Sequence, residues 1–131
     1  AAHADSTWFS GPDFWRADPA ACQIKITTDA RLLGECRRFP ARPYQALRFW
    51  GVMSASQGAP LAEIARATRV GLKKMPDFKF LPHLDWQPRL AESMVGKLEA
   101  PETVVAAAGR PVEEIIDFLN AVAVLGLLKT A

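Results

Sequence analysis

The sequence predicts a mostly α-helical fold of the α+β class, with a small N-terminal strand or hairpin. Apolar residues recur at spacings of three and four over most of the chain beyond residue 43. Glycine and proline stand where such helices would begin or end, and one segment, residues 22–28, alternates apolar and polar side chains. The chain has 131 residues, the size of one ordinary domain, so we expect a single domain over residues 1–131.

The N-terminal region divides into a tail and an aromatic arm. Residues 1–7 are small and polar, which is typical of a flexible tail. The candidate partner-binding residues of the arm are its four large aromatic side chains, Trp8, Phe9, Phe14 and Trp15. An exposed aromatic cluster would mark a binding site. Alternatively the arm packs back over its own domain, which is the interpretation we favour.

Residues 22–28 form the clearest predicted strand. One face would carry Cys22, Ile24 and Ile26, and the other Gln23, Lys25 and Thr27. Thr28 or Asp29 can then cap a short helix, whose apolar residues Leu32, Leu33, Cys36 and Phe39 fall near one face. A hairpin return through the same segment remains an alternative.

The middle of the chain predicts a core helix followed by shorter elements. Pro43 can open a helix over residues 44–56, with an apolar face so wide that most of it should be buried. A short helix follows Pro60, with Leu61, Ile64 and Ala65 pointing inward. Residues 69–86 carry Pro76 and Pro82 and predict a turn-rich connector in which any helix from Val70 stops near Met75.

The last third predicts three helices. A helix over residues 88–98 leads into two more around a tight turn, where Gly109 suits the left-handed residue that ends the first and Pro111 the start of the second. The helical period predicts that the apolar residues of the final helix are buried and its carboxylates exposed. The expected buried residues are Ile115, Ile116 and Leu119, and the expected exposed ones are Glu113, Glu114 and Asp117.

Residues 88–131 resemble the winged-helix family through Gly109, Pro111, the pattern EEIIDFLN and the closing LGLL. The resemblance implies a trihelical unit in which LGLL begins the first strand of a wing. Only Lys129, Thr130 and Ala131 follow, so a full two-stranded wing cannot be built from them. Units of this pattern occur in transcription regulators, in protein-docking modules and in signalling adaptors.

Charge favours the protein-binding members of that group. A DNA reader needs cationic or amide side chains on its third helix, whereas this helix carries three carboxylates that would repel phosphates. We therefore expect a non-catalytic regulatory or signalling adaptor, of bacterial type, that binds a protein partner. The alternative is a DNA-binding transcriptional regulator that uses the basic segment 66–79, because residues 1–80 carry a net charge of +5 and residues 81–131 one of −3. The candidate binding residues of that segment are Arg66, Arg69, Lys73 and Lys74.

Catalytic and metal-binding patterns are absent from the sequence. It has no glycine-rich phosphate loop and no nucleophile elbow. His83 is a lone loop histidine, and Cys22 and Cys36 lack the spacing of a zinc site. We therefore expect no enzyme activity, no cofactor and no metal. No signal pattern or membrane-length apolar run is visible, so we expect a cytoplasmic protein without a membrane partner. The sequence does not indicate which oligomeric state the protein adopts.

Overall fold

The computed structural model describes residues 7–9, 29–36 and 41–131. The chain divides into two compact units, Ala1–Tyr44 and Gln45–Ala131. In chain order the elements are β1 (Thr7–Phe9), α1 (Ala30–Cys36), β2 (Ala41–Pro43), α2 (Tyr44–Ser56), α3 (Ala62–Arg66), β3 (Val70–Leu72), α4 (Gln87–Met94), α5 (Pro101–Ala108), α6 (Val112–Val124) and β4 (Leu128–Thr130). The described residues are mostly helical and include two short antiparallel strand pairs, β1–β2 and β3–β4. This composition confirms the predicted mostly α (α+β) fold class.

The described residues of the first unit form a strand pair and one short helix. Strands β1 and β2 are antiparallel, with Trp8 opposite Arg42. Thr7 belongs to β1, so the predicted tail is wrong at its last residue: backbone pairing holds this position. Asp29 accepts a 2.9 Å hydrogen bond from the Arg31 N–H, which confirms the predicted cap of α1. The predicted strand 22–28 lies outside the described residues.

Helix α2 spans the predicted residues 44–56 but buries less of its surface than predicted. Its buried residues are Ala46, Phe49 and Met53, while Leu47 and Trp50 are half-buried, because only one face meets the second unit's core. Phe118 of α6 lies at that core. The rings of Phe49 and Trp86 meet it edge-on, at centroid distances of 6.3 and 5.9 Å.

The short helix α3 buries one residue. Ile64 is buried, whereas Leu61 and Ala65 are exposed, so their predicted inward orientation is wrong. A helix of five residues makes little more than one turn and can direct only a narrow stripe inward. Helix α4 ends at Met94 rather than at the predicted residue 98, because the chain turns there to meet β3.

Helices α5 and α6 and their turn follow the predicted pattern closely. Gly109 takes the left-handed conformation, with φ of 61°. Ile115 and Leu119 are buried and Glu113 is exposed, as predicted. Three expectations for α6 are wrong: Ile116 is only half-buried, and Glu114 and Asp117 are half-buried rather than exposed. Contacts with residues outside the helix, described below, account for Asp117.

The expected turn-rich connector contains a strand that the sequence analysis missed. Strand β3 pairs antiparallel with β4, and Gly71 lies opposite Lys129. On its other side, Val70 exchanges two backbone hydrogen bonds with Glu99, of 2.8 and 3.0 Å. The strand beside β4 therefore comes from upstream of α4 and not from residues after LGLL. No helix among the described residues is long and apolar enough to cross a bilayer.

Candidate interaction surfaces

The segment after β3 forms a surface that combines exposed apolar and cationic side chains. Among the described residues, five large apolar side chains are exposed, and three of them lie here: Phe80 at 56%, Met75 at 42% and Leu84 at 41%. The lysines of the same segment are exposed too. We call this set the connector surface; its members are Lys73, Lys74, Met75, Lys79, Phe80 and Leu84.

Buried anchors hold the connector surface in place. Pro76 and Leu81 are buried, and the Leu81 N–H donates to the Asp77 carbonyl at 3.2 Å, closing a tight turn. Phe78 is half-buried and packs against His83, with the two ring centroids 4.8 Å apart. Phe80, two residues further, faces outward, with the Lys79 Nζ 5.7 Å from its ring centroid. The exposed apolar side chains therefore stand on a folded turn.

A second surface lies on the outer side of the β3–β4 sheet. The ladder extends beyond the strands, because Arg69 exchanges backbone hydrogen bonds with Ala131 and the Lys73 N–H donates to Leu127. Side chains alternate along a strand, so Arg69, Lys73 and Lys129 share a face with Gly71. Val70, Leu72 and Leu128 are buried on the opposite face.

The Lys97 backbone lies close to this face at Gly71. A Cβ added at Gly71 would collide with the Lys97 carbonyl oxygen, so only glycine leaves room for residues 95–99, which pair along the other edge of β3. The Lys97 side chain is exposed. We call Arg69, Lys73, Lys97 and Lys129 the outer sheet face. Within the described part of the chain, none of the four makes an ion pair.

The polar side of α6 is used inside the molecule. The Asp117 carboxylate accepts a 2.8 Å hydrogen bond from the Gly58 N–H in the α2–α3 turn. A Cβ at Gly58 would lie 2.9 Å from the Cβ of Glu113, so this turn lies directly against the helix. The face of α6 that a DNA reader would place in a groove is therefore partly covered by residues of the same chain.

Asn120 fixes this contact. Its side chain is buried, accepts from the Leu61 N–H at 2.9 Å and donates to the Ala59 carbonyl at 2.8 Å and the Ser56 Oγ at 2.9 Å. The amide group thus satisfies three groups of the α2–α3 turn. The sequence predicts only that Gly58 ends the helix over residues 44–56, and it gives Asn120 no role beyond its place in the pattern EEIIDFLN. An asparagine on the inward side of an otherwise apolar helix was the signal that could have identified the contact.

The predicted site residues fall into four groups. Arg69 directly precedes β3, and Lys73 and Lys74 directly follow it; all three are exposed, whereas exposed Arg66 ends α3 and lies on a separate element. Trp8 and Phe9 lie in β1 of the first unit. Phe14 and Trp15 lie outside the described residues. Lys97 and Lys129, which the sequence analysis did not select, join the basic group only through sheet pairing.

A shallow groove of about 440 Å³ lies between α4 and α5. It is lined by Trp86, Leu90, Ala107 and Ala108, with Asp85, Arg89 and Ser93 supplying polar groups. The Trp86 Nε1 is buried and has no hydrogen-bond partner in the described structure. Arg110 covers the Trp86 ring and pairs with Glu114 at 2.7 Å. The groove's own charges, one acidic and one basic, indicate no particular ligand.

No cluster of three metal-ligating side chains occurs among the residues that the structure describes. The connector surface and the outer sheet face are the most distinctive chemical features of the described residues. Comparisons of the chain with protein-family models, curated proteins and solved structures find no match.

Proposed function

We propose that this chain is a non-catalytic adaptor module that binds a protein partner through its connector surface. The observation that carries the proposal is the group of exposed apolar side chains, Met75, Phe80 and Leu84, on a turn held by buried anchors. Burying the exposed part of such side chains against a partner contributes about 25 cal/mol per Å² of apolar area removed from water. A protein partner supplies apolar atoms for this contact, whereas a phosphate backbone does not. The proposal keeps the cytoplasmic location expected from the sequence.

The winged-helix resemblance is part of the same proposal. Helices α4, α5 and α6 followed by β4 give the order of elements that the resemblance implies. In a DNA-binding member of that family the third helix is free to enter the groove. The contact of Gly58 with Asp117 occupies part of that face here, which supports a protein-docking role for the unit.

Site-specific photocrosslinking tests the proposal. A photoreactive amino acid is placed at Phe80 in the full chain, and a control is placed at Glu102, which is exposed on α5. In cells that produce the chain, we expect one discrete protein adduct from position 80 and none from position 102. The adduct should disappear when Met75 and Leu84 are changed to serine. An adduct with nucleic acid alone, or no adduct from position 80, would exclude the proposal.

A DNA-binding regulator is the second candidate, favoured by the exposed cations Arg69 and Lys73 on the outer sheet face, which form no ion pair with another described residue. Titration with duplex DNA separates the two. We expect only weak, salt-sensitive and sequence-independent binding. Strong preference for one DNA sequence, lost in the Arg69→Ala, Lys73→Ala double variant, would instead support the DNA-binding regulator.

A further inference from the structure

We propose that the partner segment is acidic as well as apolar, and that the outer sheet face binds its carboxylates. This inference rests on the proposed function and names the chemistry of the partner. Arg69, Lys73, Lys97 and Lys129 are all exposed. The ion pairs that join two described residues lie elsewhere, between Arg31 and Glu35 and between Arg110 and Glu114. The four cations therefore lack an intramolecular counterion in the described structure.

Sheet register gathers these cations into one patch. Lys129 lies directly opposite Gly71, and Arg69 and Lys73 flank Gly71 at two residues on either side. Gly71 contributes no side chain, and the Lys97 carbonyl lies directly against it. Arg69, Lys73 and Lys129 therefore share the face around Gly71, and the fourth cation belongs to the residue whose carbonyl lies against this glycine. Like charges held this close attract an anionic partner more strongly than isolated surface lysines do.

The outer sheet face continues into the connector surface. Lys73 belongs to both, and Lys74 and Met75 follow it without a break in the chain. A ligand that covers Met75 therefore passes beside Lys73. Its contact surface must offer apolar groups to the connector surface and negative charge to the sheet. An acidic amphipathic protein segment has both properties, and charge complementarity would raise its association rate and orient it.

The choice of an acidic protein over nucleic acid follows from the apolar half. Phosphates would neutralise Arg69 and Lys129 equally well, but they leave Met75 and Leu84 in water. Met75 and Leu84 are aliphatic, and of the three exposed apolar side chains of the connector surface only Phe80 offers a flat ring on which a base could stack. The outer sheet face alone could bind any anionic ligand. The apolar side chains of the connector surface favour an acidic protein segment among these ligands.

The test measures binding of a labelled amphipathic peptide of leucine and glutamate to the full chain by fluorescence anisotropy. Its controls are a lysine-for-glutamate peptide, duplex DNA, and vesicles with and without phosphatidylserine. Arg69→Glu and Lys129→Glu should each weaken binding of the acidic peptide about tenfold. The matched control is Arg89→Glu, an exposed arginine of α4 outside both surfaces, which should change binding little. Higher salt should weaken the wild-type interaction.

Each result bears on a different claim. If Phe80→Ala weakens peptide binding and the two charge reversals do not, the acidic partner is excluded while a protein-docking connector surface stands. If no peptide binds, or if the chain prefers duplex DNA or phosphatidylserine vesicles, the inference is overturned. A failure of the proposed function shows separately, as loss of the protein adduct from position 80. Circular dichroism of each variant confirms that it is folded.

Discussion

The polar side of α6 and the connector surface are both charged, yet their side chains have different surroundings. On α6, Asp117 and Asn120 meet backbone groups of the α2–α3 turn. On the connector surface, Phe80 and Lys74 project into solvent above buried anchors. A charge pattern alone does not separate these cases. Polar groups that are satisfied within the chain stabilise its packing, whereas exposed groups on an anchored turn are accessible to a partner.

The largest expected effect tests α6 as a core helix. Ile115 is 1% exposed and Ile116 is half-buried. Ile115→Ala should therefore lower the free energy of unfolding by about 2–5 kcal/mol, the range for large-to-small core changes. Ile116→Ala should cost clearly less. Denaturant unfolding of both variants measures the difference, and an equal loss in the two would contradict the observed orientation of α6.

The next effect breaks the contact between α6 and the α2–α3 turn. Asn120→Ala removes the partners of the Leu61 N–H and the Ala59 carbonyl. We expect a loss of about 1–3 kcal/mol from the groups left without hydrogen bonds. Thermal denaturation checks the value, with Thr103→Ala, an exposed change on α5 away from this contact, as the control. A stability equal to wild type would show that the Asn120 hydrogen bonds are not formed in solution.

Two glycine substitutions give a further test of the contact between α6 and the α2–α3 turn. Gly58 has φ of 76°, and a Cβ there would press on Glu113. Gly58→Ala should cost about 1–2 kcal/mol because an L-residue is strained in this conformation. Gly51 lies exposed within α2 with open space around it, so Gly51→Ala should stabilise the chain by about 0.5–1 kcal/mol. Unfolding in urea compares the two, and opposite signs are the expected outcome.

The smallest effect on stability belongs to the connector surface. Phe80→Ser removes a ring that is 56% exposed, so the free energy of unfolding should change by less than about 0.5 kcal/mol. The same variant should lose its partner in a binding assay, because the ring is the most exposed large apolar group described. A marked drop in melting temperature would show instead that Phe80 is part of the fold.

Local signals predicted the helices well. The Gly109 turn and the extent of α2 followed from the residues themselves, because end signals and apolar periodicity act over a few positions. Strand β3 gave no such signal. Three residues, Val-Gly-Leu, are too few to show alternation, and their partners Glu99 and Lys129 lie far along the chain.

The candidate surfaces were predictable only in part. Arg69, Lys73 and Lys74 stand together in the sequence, and their exposure follows from charge. Lys97 and Lys129 joined them only through the pairing of β3, which the sequence did not reveal. The helical period predicts that the Asp117 side chain is exposed. It does not reveal the hydrogen bond from the Gly58 N–H, because that contact depends on tertiary packing. Long-range contacts of this kind leave no periodic trace in the sequence.

The pairing of β3 with β4 also sets an order of events during synthesis. Val70–Leu72 leaves the ribosome well before Leu128–Thr130, by several seconds at ~5–20 residues per second. Until β4 emerges, one edge of β3 has no neighbour from the second unit, and closing so long a loop costs entropy. Arg69 and Lys129 come together only when β4 pairs with β3. A nascent chain from which β4 has not yet emerged therefore lacks the outer sheet face.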